Sequence, residues 1–367
     1  MARPVIVADR DIPFLEDALA PYASLVRLPA SQIDAGAVKG ADALIVRTRT
    51  RCDASLLEGS SVSFVASATI GTDHIDMEYC RRRGIAVASA PGCNADAVRQ
   101  YVVTAIFALA ARAGLSLAGR TLGVVGVGNV GSRVADIARK LGGNVLCNDP
   151  PRQMREEGFV SSPLEHLLES SDIVTLHIPL EGNRRFADSR FFSMMRPGAI
   201  FINASRGEVV DEDSLLAARG KLGGLILDVW CGEPRINPVL LDACDIATPH
   251  IAGYSMQGKI NATVAVVRAF GGHFGISQLR DFALPGASAP LLVEGIPLEK
   301  LPAPLAPSSG DVSEADMAPM MPVPPLQERI AKELLGRYDI WADDAALRAA
   351  PASFEALRSG YKYRTEF

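Results

Sequence analysis

Short apolar runs rich in β-branched residues open the chain at Val5 to Ala8, Ala43 to Arg47, Val62 to Ala68 and Ala86 to Ala90, with stretches of helical character between them. This alternation predicts a small α/β unit. After Pro91-Gly92, the segment Ala95 to Ala113 contains no proline or glycine and is rich in alanine and valine, which predicts a long buried helix at the boundary between two domains. A second series of apolar runs follows at Thr121 to Gly126, Asn144 to Asp149, Asp172 to Ile178, Gly198 to Asn203, Gly224 to Val229 and Asp245 to Thr248. These runs are mostly continuous rather than alternating, as for strands covered on both faces, so they predict a parallel, doubly wound sheet that binds ligands beyond its C-terminal strand ends.

The pattern changes after Pro285, because ten of the 24 prolines fall between Pro285 and Pro325 and include the low-complexity stretch Ala306-Pro307-Ser308-Ser309-Gly310-Asp311. Such a segment predicts a linker or extended arm. Beyond it come a short helical pattern, Leu326 to Arg337, and a charged tail ending at Phe367. Leu334, Leu335, Tyr338 and Trp341 form an apolar stripe too small for its own core, so the expectation is that it docks on a second subunit, with folding back on its own chain or disorder as the alternatives.

Composition narrows the class. With 367 residues, 48% of them hydrophobic, the chain has room for two or three domains. A net charge of -5 and a pI near 5.7 offer no long-range attraction to nucleic acid or an anionic membrane, so the expected partner is a small molecule held by a local cluster of basic groups. An aspartate at position 9 interrupts the N-terminus before a signal-peptide apolar region forms, and the run Tyr101 to Ala111 is too short to span a bilayer. A cytoplasmic location is the expectation. The six cysteines lack a paired metal spacing and read as reduced core thiols, Cys93 being the partial exception because it follows the Pro91-Gly92 turn.

The chemistry is concentrated in a few turns. Gly126-Val127-Gly128-Asn129-Val130-Gly131 lies between an apolar strand and a helix, the context that a dinucleotide loop requires. The first glycine permits a tight turn, the second lets the backbone approach a pyrophosphate, and the third allows close helix packing. Asp149 ends the next strand, where a carboxylate would accept from the adenosine ribose hydroxyls and repel a 2′-phosphate, favouring NAD over NADP. Arg152 is expected to be a solvated arginine after Pro150-Pro151, with reception of that phosphate as the alternative. Arg206, Glu233 and His250 each follow a predicted strand. An arginine can grip a carboxylate with two hydrogen bonds, and a carboxylate against an imidazole orients a proton donor or base, so the set suggests hydride transfer on 2-hydroxy acids. His74 and His177 read as satisfied structural residues, and His166 and His273 as surface positions.

These motifs, with Asn203-Ala204-Ser205-Arg206-Gly207, Leu227-Asp228-Val229-Trp230 and Thr248-Pro249-His250-Ile251-Ala252, resemble the D-2-hydroxyacid dehydrogenase family over roughly residues 1–285. Val46-Arg47-Thr48, Ala68 to His74, Ala90 to Ala95, Asn148 to Arg152 and His250 to Tyr254 make it most similar to the branch that oxidises 4-phospho-D-erythronate in pyridoxal 5′-phosphate synthesis. The tail pieces Arg337 to Ile340 and Phe354 to Arg358 are similar to that branch's dimerisation domain. The resemblance implies a Rossmann NAD-binding domain at 95–263, a smaller flavodoxin-like substrate domain at 1–94 and 264–285, a linker at 286–325 and a dimerisation-like segment at 326–367.

It further implies that Arg206, Glu233 and His250 are catalytic, with His250 the proton donor, and that Thr48, Thr69 and Tyr254 touch substrate. Cofactor contacts are implied at Asn129, Val130, Asp149, Ala204, Ser205, Asp228 and Gly253, beside Gly126, Gly128, Gly131 and Arg206. The expected product is 2-oxo-3-hydroxy-4-phosphobutanoate and the expected assembly a homodimer, with Arg47, Arg49 and Lys259 available for the phosphate. Thr48, Gln100 and Ile178 depart from the family's usual serine, glutamate and threonine. Two other readings stay open: another D-2-hydroxyacid dehydrogenase acting on glyoxylate, hydroxypyruvate or phosphoglycerate, and an NADH-sensing corepressor-like binding protein.

Overall fold

The computed structural model describes residues 3–301 and 325–367, so most of the proline-rich stretch expected as a linker lies outside the described residues. The chain forms two compact units, one from Met1–Asn94 with Ser255–Ser288 and the other from Ala95–Tyr254 with Ala289–Thr365. The sequence reading put the second crossing at residue 263. It falls earlier because the Ser255 hydroxyl caps an unbroken helix, Met256–His273, accepting from Gly258 N–H at 2.9 Å.

The first unit holds a parallel five-stranded sheet of β1 (Val5–Asp9), β2 (Ser24–Leu28), β3 (Ala43–Val46), β4 (Phe64–Ser67) and β5 (Ala86–Ala88), ordered β2-β1-β3-β4-β5. The sequence pattern missed β2, an edge strand whose mostly exposed side chains leave no continuous apolar run to read. Val266, Val267 and Phe270 of the Met256–His273 helix join Ile6, Ile45 and Phe64 in the core of this unit.

The second unit holds six parallel strands: β6 (Thr121–Val125), β7 (Asn144–Asn148), β8 (Ile173–Leu176), β9 (Ile200–Asn203), β10 (Gly224–Leu227) and β11 (Ile246–Ala247), ordered β11-β10-β9-β8-β6-β7. All six were legible as buried apolar runs, and the fold is the doubly wound Rossmann type. The helix Ala95–Ala113 forms over the predicted range and packs with the helix Asn129–Lys140 in one core cluster.

The C-terminal segment joins this second unit. Ile330, Ala331 and Leu334 of the helix Pro325–Arg337 are buried in the same cluster as Val102, Ile106 and Leu109. Buried Gln327 fastens it, donating to Leu115 O and accepting from Leu117 N–H, each at 2.8 Å. A helix Ile340–Ala349 then covers the sheet edge, where the Asp344 carboxylate accepts from Ala247 N–H of β11 at 2.8 Å. Before the undescribed stretch, β12 (Leu292–Val293) and β13 (Ile296–Pro297) pair antiparallel, with Leu291, Val293 and Leu298 in the core. The part of the expected linker that is described is therefore docked structure, because its apolar residues have a core to enter.

Candidate active site

The glycine loop is closed at its ends and open in its middle. Gly126 has φ of 84°, and a Cβ at Gly131 would lie 2.0 Å from the Gly126 carbonyl oxygen, so both positions need glycine. A Cβ at Gly128 would meet nothing within 4 Å. Gly128 is also the N-cap of the helix Asn129–Lys140, whose first N–H groups have no side-chain cap, leaving the Asn129–Val130 turn able to face a pyrophosphate.

Asp149 follows β7. Its Oδ2 accepts from Val127 N–H and its Oδ1 from Arg152 N–H, both at 2.8 Å, so one carboxylate holds the loop and the next turn together. Arg152 is not the solvated residue expected. Its Nη1 donates to Val127 O at 2.8 Å, Glu156 takes Nε and Nη2 at 2.7 and 2.8 Å, and the guanidinium lies over Phe159. An open glycine, an uncapped helix start and a carboxylate at the end of β7 fit NAD, and the carboxylate disfavours a 2′-phosphate.

The adjacency of β9, β10 and β11 explains the second cluster, since Arg206, Glu233 and His250 each lie just beyond one of these strands. His250 sits in the left-handed region at φ 56°, a conformation that a non-glycine residue holds only when its surroundings impose it. Here they do. His250 N–H donates to Asp228 O at 2.7 Å, while the buried Asp228 carboxylate accepts from Ile251 N–H, Ala252 N–H and the Thr248 hydroxyl at 2.7–2.9 Å. Burial pushes the Asp228 carboxyl above its usual range against the pull of His250 and these donors. Tyr101 extends the network through a 2.7 Å bond to Thr248.

The turn aims the imidazole at Glu233, with His250 Nδ1 2.7 Å from Oε2. Trp230 N–H donates to Oε1 at 3.0 Å, and Arg358 Nη1 lies 3.4 Å from Oε2. Burial alone would raise the Glu233 carboxyl, but His250, Arg358 and the Trp230 amide outweigh it and hold it below the ordinary range. An ionised Glu233 makes Nδ1–H the donor, so proton exchange falls to Nε2. Arg206 is half-buried, with Nη1 donating to Ser205 O at 2.8 Å, and Ser205 Oγ donates to Asn203 Oδ1 at 2.8 Å beside Ala204.

Tyr254 and Gly253 follow on the same turn, and Tyr254 meets the rings of Tyr361 and Tyr363 from the tail. The sequence reading missed this tail cluster, whose only local signal was arginine and tyrosine interleaved from Arg358 to Arg364.

In the first unit, Thr69 Oγ1 is bonded to Ser67 Oγ at 2.7 Å, and Ser67 Oγ also meets His74 Nε2 at 3.1 Å. Thr48 is exposed just after β3, and Arg47 lies 3.9 Å from Asp11 with its Nε buried and unpartnered. His177 bonds Thr175 at 3.1 Å, and His166 and His273 are exposed. The Cys93 thiol is pushed up to about 12 by burial, which argues against a reactive thiolate. Gln100 donates to Thr365 O at 3.2 Å. Among the described residues, no helix is long and apolar enough to cross a membrane.

Residues 94–252 match the D-isomer specific 2-hydroxyacid dehydrogenase NAD-binding domain. The chain is 41% identical to an erythronate-4-phosphate dehydrogenase of Bacteroides fragilis, over 98% of this chain and 97% of that one. It is 42% identical to one from Azotobacter vinelandii, over 98% of this chain and 92% of that one. Among solved structures it is similar to the Aquifex aeolicus D-lactate dehydrogenase complexed with NAD and lactic acid, with 28% identity, a TM-score of 0.65 and coverage of 75% and 97%. On these matches, and with a glycine loop and strand-end cluster suited to the chemistry, the chain belongs to the D-isomer specific 2-hydroxyacid dehydrogenases and is an NAD-dependent enzyme similar over nearly its full length to erythronate-4-phosphate dehydrogenases.

Proposed function

We propose that the chain oxidises 4-phospho-D-erythronate to 2-oxo-3-hydroxy-4-phosphobutanoate with NAD, as a step of pyridoxal 5′-phosphate synthesis. The observation that carries the chemistry is the 2.7 Å bond between His250 and Glu233 on the strand ends beside Arg206. NAD, when bound, supplies the hydride acceptor for the C2 hydrogen. His250 Nε2 takes the C2 hydroxyl proton, and Glu233 stabilises the imidazolium that results. Arg206 holds the substrate carboxylate through paired N–H donors. Thr48, Thr69 and Tyr254 carry the hydroxyls that the resemblance assigns to substrate.

The choice of a phosphorylated C4 acid is supported by near-full-length similarity to relatives named for that substrate. The test is kcat/KM with NAD for 4-phospho-D-erythronate against erythronate, D-glycerate and 3-phosphoglycerate. The reading expects the phosphorylated C4 acid to be preferred at least 100-fold over erythronate, because a lost charge-assisted contact costs on the order of 3 kcal/mol. Equal use of erythronate would instead favour another D-2-hydroxy acid, and no turnover of any of them would favour a binding protein.

A further inference from the structure

The tail brings a second cation to the candidate proton-transfer pair. The helix Phe354–Ser359 presents Arg358, whose Nη1 lies 3.4 Å from Glu233 Oε2, the same oxygen that His250 Nδ1 approaches to 2.7 Å. The two cationic groups are thus no farther apart than those two contacts laid end to end. The Arg358 side chain is 19% exposed, and its second acidic neighbour, Glu355, is 4.0 Å away and far more open to solvent. Burial works against the Arg358 charge, yet Tyr254, Glu233 and Glu355 outweigh it and carry its pKa above the ordinary value.

We propose that Arg358 is a positioning residue for the Glu233–His250 pair, a tail-borne cation that shares Glu233 Oε2 and limits how strongly this carboxylate favours a proton on the imidazole. A carboxylate with one cationic partner gives that partner its whole field. With two, each works against the other's positive charge. The base of an alcohol oxidation must be neutral to accept a proton, so a shared carboxylate keeps the histidine available at lower pH than an unshared one. Other charged groups on the elements packed about this turn include Asp228 beneath it, Glu212 accepting from Cys231 N–H at 2.9 Å, Arg206 on the β9 loop, Arg364 on the Ile251 and Ala252 carbonyls, and Asp343 beside Tyr361. Arg358 Nη1 joins His250 Nδ1 at Glu233 Oε2, while the Trp230 N–H takes Oε1.

The inference rests on the reading of His250 as the proton acceptor, and the test separates the two. The His250 ring is titrated by NMR in the full chain, its resonance identified by its loss in His250→Gln, and the acid limb of kcat/KM is measured with NAD and 4-phospho-D-erythronate. Arg358→Gln, and Arg358→Met as a second charge-removing variant that keeps the aliphatic stem, should each move the ring titration upward by about half a pH unit or more. Arg358→Lys, which keeps the charge, should stay within a few tenths of the parent and recover the acid limb. The proposal is overturned if the ring titrates at the parent pH in the charge-removing variants, or if Arg358→Lys shifts as far as they do. If neither charge-removing variant folds while Arg358→Lys does, a shifted Arg358→Lys titration overturns it and an unshifted one supports it. A moved ring titration with an unmoved acid limb upholds the charge sharing and instead removes His250 from the reaction.

Discussion

At the scale of single residues, the site depends on one strained histidine held by backbone bonds. Because those bonds come from the Asp228 carbonyl and not from its own ring, His250→Ala removes the imidazole without dismantling the turn. Turnover is expected to fall by about 100- to 10,000-fold while NADH fluorescence titration returns a near-parental affinity. Near-normal turnover would refute the assignment. Glu233 was legible because its position past a strand matched those of Arg206 and His250. Arg358 was not, since its contact spans 125 residues and no local pattern encodes so distant a meeting.

Asp343 gives a second prediction at this scale. Burial raises its carboxyl from 3.8 to about 6, against the hydrogen bond from Tyr361 and the charge of Arg364. Between those two values the folded chain keeps a proton that the unfolded chain has lost, so stability falls as pH rises through this window and the full cost is present above it. Asp343→Asn should therefore stabilise by on the order of 2 kcal/mol at pH 8 and by little at pH 4. Urea unfolding at both pH values checks this, and an equal effect at the two would contradict it.

At the scale of elements, the strands that a sequence reveals are those buried on both faces. β8, β9 and β10 are fully buried and were found from their apolar runs; β2 is an edge strand and was not. The helices Ile340–Ala349 and Phe354–Ser359 were hidden for a related reason, being short and carrying charged residues among the apolar ones that dock. The strand-loop-helix at residues 121–140 was plain because it carries a glycine loop, two of whose members, Gly126 and Gly131, are sterically required. Gly131→Ala would drive a Cβ against the Gly126 carbonyl oxygen, pushing the helix off the strand and costing about 1–3 kcal/mol. Denaturant midpoints measure that loss, and NADH affinity should fall with it. A variant with parental stability and affinity would show that the loop relaxes freely.

At the scale of the whole molecule, the resemblance carries an expectation of a homodimer joined through the C-terminal segment. Leu334 and Tyr338 of the expected stripe are already buried in their own chain, and Trp341 packs against the same cluster. A joining surface must use other residues, and Leu292 and Ile296 on the β12–β13 hairpin remain 43% and 44% exposed. Light scattering is expected to give about twice the 39.0 kDa chain mass, and the double variant Leu292→Glu, Ile296→Glu to lower it. A parent already at the single-chain mass would remove the dimer.

The distance along the chain between Glu233 and Arg358 also bears on how the enzyme is made. A ribosome releases the glycine loop first, then Arg206, Glu233 and His250, and only 125 residues after Glu233 the arginine that shares its carboxylate. A polypeptide interrupted between His250 and Asp344 contains every strand of the dinucleotide sheet but lacks Asp344 on the β11 edge and the second cation on Glu233. Translation errors late in the message would yield chains able to form the cofactor loop yet without the guanidinium beside Glu233, with a bare strand edge exposed to quality-control proteases.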